Sequence, residues 1–454
     1  MIKQLITLSL LLFIVASQAQ EAPQSTTFTL GEAINYAYEN NVSVKIAKRN
    51  IDDAEAQIIE RRAVGIPTLS GEINYQHFLK IPVSVLPKAF EDMARAGNGG
   101  TLPDDYSNQI SFALRNNFDA GLNLNALIFD PSYFTGLKAA RAFKTYVGQE
   151  LIAEERAVRD QVVQAYLPPL IVDENLKILQ KNIINLENML RETRATYEAG
   201  FVEQLDVDRL TLSLANLKTE VDNLVRQKEL ALNGLKFVMG YPIDKSITIS
   251  DNLDQLLVLA TDKDLTEPVS YQSRPEYRVA ESGIKLNELN IKINKDGYIP
   301  SVTGFLNYQY GYQGNSFFGS DGFWVPTSVA GLQIKVPIFD GFNKKAKVER
   351  ARIALDVARE QVKMLEQSID LEITNARTEY LTALERTNSQ EKNMALAQKI
   401  YDTTQIKYRS GVGSSIEVTQ AEQALYETQQ NFIQARYQLL IAKQKLDTVL
   451  GKEW

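Results

Sequence analysis

The chain repeats itself, and the repeated unit contains helices too long for any compact globule. Tyr197-Glu198-Ala199-Gly200, Leu205-Asp206-Val207 and Gly240 return as Tyr408-Arg409-Ser410-Gly411, Ile416-Glu417-Val418 and Gly451, every matched pair 211 positions apart. The stretch PTLSGEINYQ from Pro67 returns as PSVTGFLNYQ from Pro300, and Ile128-Phe129-Asp130 returns as Ile338-Phe339-Asp340. The order is the same in both halves, which defines a tandem duplication.

Each half reads as helix, strand, loop, strand, long helix, turn, long helix. The first helix of each half opens on a capping box, Thr29 with Glu32 and Ser273 with Glu276. Both end before prolines, Pro67 and Pro300, that cannot continue a helix. The strands alternate. Leu69, Gly71, Ile73 and Tyr75 form one face, and Ser70, Glu72, Asn74 and Gln76 the other. Leu122 and Leu124 alternate with Asn123 and Asn125, Leu306 to Tyr312 with Phe305 to Gly311, and Leu332, Ile334 and Val336 with Gln333 and Lys335. Period two with one polar face fits a soluble sandwich or a transmembrane barrel. The strands run about ten residues, the length a tilted membrane strand needs. Tyr75, Tyr312, Phe323 and Trp324 lie near strand ends, where an interface girdle would place them.

The long helices carry a sharper pattern. Leu176, Leu179, Ile183, Leu186, Leu190, Thr193 and Tyr197 follow steps of three and four. So do Leu210, Leu214, Leu217, Val221, Leu224, Ala231, Leu235 and Val238, with Lys228 alone breaking the seam. The second half repeats it from Ala421 through Leu425, Thr428, Phe432, Ala435, Leu439, Ala442 and Leu446 to Val449. That spacing means coiled-coil packing. From Gly136 to Glu198 is roughly 60 residues, or roughly 90 Å of helix, a length that suits a rod or tunnel. Pro168-Pro169 should kink or break this helix. Residues 78–107 read as an irregular loop, longer than its counterpart around 313–325 and an expected extracellular loop.

Residues 1–19 read as a secretory signal: Lys3, an apolar run from Leu5 to Val15, and a small-x-small cleavage site at Ser17-Gln18-Ala19. Its removal takes away one base and no acid, moving the net charge from −7 to −8. Mild acidity argues against nucleic acid as a partner. With no cysteine, disulfides, thiolate metal sites and a lipidated N-terminal cysteine are excluded, and one histidine, His77, excludes a multi-histidine metal site. His77 reads as a solvated loop or strand-end residue. No cofactor is called for, and no phosphate loop or nucleophile elbow points to an enzyme.

Four strands per chain cannot close a membrane barrel, since the smallest have about eight. An edge open to lipid would leave backbone groups unpaired, so two or three chains must contribute. From about Thr26 to Gly451 the layout resembles the TolC-like outer membrane efflux protein (outer membrane factor) family. The resemblance rests on the two Tyr-x-x-Gly turns with their coiled helices, on Arg274-Pro275-Glu276, on Tyr298-Ile299-Pro300-Ser301, and on Ile338-Phe339-Asp340-Gly341. It implies an α+β membrane protein: a homotrimer whose 12-stranded β-barrel continues into an α-helical coiled-coil tunnel. It further implies a cell outer membrane location extending into the periplasm. It implies contact with outer-membrane lipid, and docking to an inner-membrane transporter through a periplasmic adaptor (membrane fusion protein). The function so implied is the outer-membrane channel of a tripartite efflux pump or type I secretion system. The alternative is a periplasmic coiled-coil adaptor, which would explain the hairpins but not the duplicated strand pairs. The division expected is signal peptide 1–19, first repeat 26–240, linker 241–265 and second repeat 266–451.

In that family a tyrosine before the second turn pairs with an aspartate after the first, which maps onto Tyr408 and Asp206; a helix-capping aspartate and a core-facing tyrosine are the plainer readings. A family arginine in the second turn is Gly413 here. Of two acidic rings expected on the pore face, the first matches Glu417 and the second is Gln420. Glu417 reads equally well as a first-turn acid favoured by the helix dipole. The tip turns, Gly200-Phe201-Val202-Glu203 and Gly411-Val412-Gly413-Ser414, are the expected adaptor contact.

Overall fold

A computed structural model describes residues 26–102, 107–259 and 270–452. The expected signal peptide and part of the expected linker lie outside the described residues. The chain divides into two compact units, one formed by residues 53–144 and 284–357, the other by the remaining described residues.

The first unit is built on one antiparallel sheet of four long strands: β2 (Thr68–His77), β5 (Asn116–Phe129), β7 (Ser301–Gly314) and β8 (Phe323–Lys335), in the order β2-β5-β7-β8. The central pairing, β5 with β7, joins the two repeats. Register carries the alternation of each strand across the whole sheet. Tyr75, Phe118, Tyr312 and Trp324 stand in one transverse row, and Gly71, Leu122, Tyr308 and Ser328 in another. Leu69, Leu124, Leu306 and Ala330 make a third row on the same face. That face is apolar and bare: Ile73 is 72% exposed and Leu332 69%. The opposite face carries Glu72, Asn74, Asn123, Asn307 and Gln309, with Asn123 Nδ2 donating to Glu72 Oε2 at 3.3 Å. The outer edges of β2 and β8 have no strand beside them among the described residues.

β2 has the expected ten residues, and the other strands exceed it, at 14 for β5 and β7 and 13 for β8. Phe323 departs from the girdle expectation. It pairs with Gln313 and therefore lies on the polar face, since adjacent residues of a strand face opposite ways and Trp324 holds the apolar position. Phe317 and Phe318, in the turn after β7, take its place by packing on Tyr75 and Phe118 at ring distances of 5.3 and 5.5 Å. At the other strand ends Phe129, Phe134, Tyr298, Phe339 and Phe342 are exposed. Phe342 follows Gly341 in the left-handed region, with φ 66° at both. His77 closes β2 with its Nδ1 2.7 Å from Asn116 Oδ1.

The segment between β2 and β5 is not irregular. It forms a short ladder, β3 (Ser84–Val85) with β4 (Gln109–Ile110), and between them the helix α3 (Lys88–Gly97). The prolines and glycines that read as loop signals flank the helix: Pro87 precedes its first turn, and Asn98, Gly99 and Gly100 end it.

Four helices belong partly to each unit: α2 (Val42–Ala63), α4 (Pro131–Glu198), α7 (Pro275–Asp296) and α8 (Asn343–Arg409). The helical unit adds α1 (Leu30–Asn40), α5 (Gln204–Met239), α6 (Leu253–Leu259) and α9 (Ser415–Leu450), with β1 (Thr26–Phe28) pairing in parallel with β6 (Ile247–Ile249). The Thr29–Glu32 capping box forms. Its expected counterpart does not: Ser273 Oγ donates to Ser270 O, and Glu276 accepts from Arg274. The first helix is also divided, because Asn41 Oδ1 accepts from Ser43 N and starts a new helix there.

The α4 helix runs unbroken through Pro168 and Pro169. A proline inside a helix costs about 3 kcal/mol. The cost is offset because Tyr166, Leu167, Leu170 and Ile171 around it are all buried in the main core. The Tyr166 hydroxyl donates to Phe28 O and to Asp251 Oδ2, each at 2.9 Å, and Asp251 also accepts from Leu30 N at 2.7 Å. The seam predicted on α4, α5 and α9 is where the buried side chains lie: Leu179, Leu186, Thr193, Leu210, Leu224, Leu235, Leu425, Leu439 and Leu446. Lys228, which interrupts it, meets Asp173 of α4 at 2.5 Å.

Candidate functional site

Four helix ends carry the repeat signature, and they end alike. After α4, Gly200 adopts φ 79° and Phe201 N bonds back to Thr196 O at 3.0 Å; after α8, Gly411 adopts φ 75° and Val412 N bonds to Lys407 O at 3.1 Å. Gly240 and Gly451 close α5 and α9 with the same six-residue bond, to Lys236 O and Asp447 O. Glycine suits this cap because left-handed backbone penalises any Cβ. The bond turns the chain sharply and leaves the next side chain outside. Phe201 and Val412, 211 positions apart, are 81% and 78% exposed. Both turns thus present one bare apolar knob. Val202 and Gly413 are half-buried, and Gly200, Gly411 and Ser414 are exposed. A Cβ on Gly413 would lie 3.0 Å from Tyr408 N, so an arginine there would crowd the preceding helix end.

Behind the turns the four helices meet in a small core of Leu186, Met189, Leu210, Ala397, Tyr401, Val418, Ala421 and Leu425, with Tyr408 packed against it. Tyr408 and Asp206 are neighbours but not partners. The Tyr408 hydroxyl is 3.2 Å from Thr193 Oγ1 of α4, and Asp206 accepts from the Ser415 hydroxyl of α9. The expected phenol–carboxylate bond is therefore replaced by two bonds, each tying one helix of the first hairpin to one of the second. Burial holds the Tyr408 phenol above its ordinary pKa; the Thr193 bond works against it, and the Asp206 carboxylate adds a smaller push upward. Asp206 caps no backbone group of α5, whose first turn follows Glu203 without a side-chain cap. The same junction holds Arg209, whose guanidinium donates to Ser415 Oγ at 3.4 Å, and Arg409, which grips Glu192 with two bonds of 2.9 and 3.2 Å.

Glu417 lies in the first turn of α9, its backbone N donating to the capping Ser414 hydroxyl at 3.4 Å, and its side chain is exposed. Gln420 is exposed as well. The acid with unusual chemistry is one the sequence pattern passed over. Glu422 faces a groove of about 640 Å³ between α5 and α9, beside Arg209, Glu220 and Tyr426, and burial pushes its carboxyl up to about 7. Tyr401 is pushed up to about 12, by burial first and by Glu422 second. The signal available was positional: Glu422 sits directly after a seam residue, Ala421. A buried acid with a raised pKa favours the folded state when protonated. The contribution of Glu422 to stability is thus fully present below about 4.5, its unfolded value, and is lost as pH rises through about 7. Glu422→Gln is expected to flatten that slope and raise the melting temperature at pH 8, read by circular dichroism between pH 5 and 8; an unchanged slope contradicts it.

Among the described residues no group of three or more histidine, cysteine or acidic side chains is placed to hold a metal, and no helix is long and apolar enough to cross a membrane.

Comparison with known proteins agrees with this architecture. The outer membrane efflux protein family profile matches residues 270–452, the second repeat. The probable efflux pump outer membrane protein TtgC of Pseudomonas putida is 22% identical over 432 residues, covering 94% of this chain and 83% of TtgC. The outer membrane protein TolC of Vibrio cholerae is 20% identical over 344 residues, covering 73% of this chain and 76% of TolC. A crystal structure of CusC, described with conformational changes accompanying folding and transmembrane channel formation, superposes with a TM-score of 0.71 at 19% identity over 96% of both chains.

Proposed function

From its place among the TolC-like outer membrane efflux proteins, we propose that this chain is the outer-membrane channel of a tripartite efflux pump or type I secretion system. The family is one of channels, not of enzymes. The chain resides in the cell outer membrane and extends into the periplasm. The adaptor alternative has no support among the relatives.

One observation carries the channel reading: a sheet whose apolar face is largely exposed, whose opposite face carries Glu72, Asn74, Asn123, Asn307 and Gln309, and whose two edges are unpaired among the described residues. In the channel reading lipid covers this face and further copies satisfy these edges. From Val302 to Tyr312 the apolar face of β7 spans ten residue steps. That is roughly 34 Å along the strand, and about 25 Å of membrane thickness at a tilt near 40°. Exposed aromatics mark both ends, Trp324 and Tyr75 at one, Phe339 and Phe342 at the other. Three chains then give the 12-stranded barrel, and the hairpins α4–α5 and α8–α9 line its periplasmic tunnel. The knobs Phe201 and Val412 are the adaptor contact. The division into repeats 26–240 and 266–451 with a linker at 241–265 fits this assembly.

A tunnel must close at rest. In this reading the clasp is Tyr408–Thr193, Asp206–Ser415 and Arg409–Glu192, with Glu417 an acid near the constriction and Gln420 a neutral position on the same helix. Electron microscopy of detergent-purified protein tests the assembly: a three-fold end view supports it, and a compact particle that stays soluble without detergent would sink it. Conductance in planar bilayers tests the clasp. A bond to a charged group is worth about 1.5–3 kcal/mol, so Asp206→Ala is expected to raise the resting leak by tenfold or more, and Tyr408→Phe by less. An unchanged leak in both removes these residues from the gate.

A further inference from the structure

The α3 helix, between β3 and β4, has no buried residue, and among the described residues its apolar side is left uncovered. Its faces are cleanly divided. At 100° per residue Ala89, Phe90, Met93, Ala94, Ala96 and Gly97 fall on one side, and Lys88, Glu91, Asp92 and Arg95 on the other. Phe90 is 50% exposed and Met93 67%. The stem that carries it is similarly bare, with Leu79 and Phe112 at 93% and 81%. A short amphipathic helix of this kind is not stable alone in water, so something covers it.

We infer that the apolar face of α3 packs against α3 of the neighbouring copies, forming a cap over the outer mouth of the barrel. The inference rests on the channel reading above. Its first support is where the helix springs from. The stem continues the β2–β5 pairing, through Phe78 N to Arg115 O at 2.8 Å and Leu86 N to Asn108 O at 2.7 Å. β2 is an open edge of the sheet, so the stem rises at the seam where the next copy joins. The second support is dimension. Twelve strands about 4.8 Å apart and tilted about 40° close into a ring roughly 24 Å across. Three symmetry-related stems on that ring stand roughly 20 Å apart, and a helix with its side chains is about 11 Å wide. A lean of a few ångströms towards the axis brings three copies into contact. The third support is charge. A helix that lies on a membrane surface carries an excess of lysine and arginine on its polar face. Here two bases balance two acids, and Arg95 is paired with Glu91 at 3.1 Å. Nothing draws this helix to anionic lipid, whereas an inward apolar face and a neutral outward one suit a cap.

The absence of cysteine from the chain makes the test direct. Met93→Cys, and separately Ala96→Cys, would be treated with a short bis-maleimide in the purified, detergent-solubilised protein. The expected result is loss of the single-chain band to covalent dimers and trimers, with Asp92→Cys on the polar face unchanged. If the particles are trimeric but neither apolar-face variant links, the cap is overturned. Quenching of a dye at Met93→Cys by nitroxide-labelled lipid in vesicles would overturn it too, and assign the helix to the membrane surface. Particles of a single chain would overturn the cap together with the channel reading, which the trimeric outcomes leave standing.

Discussion

Arginine in place of Leu122 is expected to prevent the protein from holding its membrane-inserted form, while arginine in place of Asn123 is tolerated. The two positions are adjacent in β5 and pair with Gly71 and Ser70 of β2, so local strand propensity is the same. They differ only in the face they occupy. Leu122 stands mid-sheet on the apolar face, in the row with Tyr308, and is half-exposed there. A charged residue at the bilayer midplane of a barrel costs about 2–4 kcal/mol. In the proposed trimer, three copies make that roughly 6–12 kcal/mol per assembly, comparable with the total stability of an ordinary domain, about 5–15 kcal/mol. Asn123 faces the polar side, beside Glu72, where an arginine meets water and a carboxylate. Urea unfolding in lipid vesicles, followed through the fluorescence of Trp324 in the aromatic row, measures both. Equal losses at the two positions would mean that the bare face is not the lipid face.

The second large effect is local and independent of the membrane. Gly240→Ala is expected to destabilise the helical unit by more than about 3 kcal/mol, well beyond Gly200→Ala. Both glycines end helices in the left-handed region, at φ 71° and 79°. That conformation alone costs an alanine about 1–2 kcal/mol. The surroundings separate them. A Cβ on Gly200 meets nothing within 4 Å, but one on Gly240 would lie 2.5 Å from Asn40 O and 2.8 Å from its carbonyl carbon. The obstacle is backbone at the break between α1 and α2, where Asn41 Nδ2 donates to Val238 O at 2.7 Å. The chain must therefore shift at the point where α5 is tied down. Thermal unfolding followed by circular dichroism ranks the two variants; a melting temperature for Gly240→Ala equal to that of Gly200→Ala would show that the contact yields freely.

How much of this was legible depended on whether a feature was periodic. The strand alternation and the three-four seam survive into the structure because each follows from one geometric period, read off many residues at once. Leu179, Leu210 and Leu446 are fully buried where the seam puts them. Features set by a single local contest were missed. Pro168-Pro169 should break a helix by local rules, but the burial of Tyr166 and Leu170 on either side outweighs them. The α3 helix was hidden because the prolines and glycines that bracket it dominate the local composition. At the tip, the family resemblance pointed to the neighbourhood of Tyr408 and Asp206 but not to their partners. Which hydroxyl a side chain meets depends on the rotation of α4 and α9; Thr193 was visible only as a seam residue, and Ser415 carried no signal. Glu422 escaped because its burial arises between two helices, and its one mark in the sequence is its place directly after the seam residue Ala421.

The two unpaired edges of the sheet have a consequence for biogenesis. Until it joins its copies, each chain carries exposed backbone donors and acceptors along β2 and β8 and an apolar face with no lipid on it. Such a surface recruits any other strand it meets. In the proposed trimer the edges are satisfied only when the ring closes, so the chain would need an escort across the periplasm and would not mature one copy at a time. A copy with one spoiled edge, such as a proline in β2, still offers its sound edge to normal copies and traps them in arcs that cannot close. Such alleles should be dominant, poisoning assemblies in a cell that also makes the intact chain.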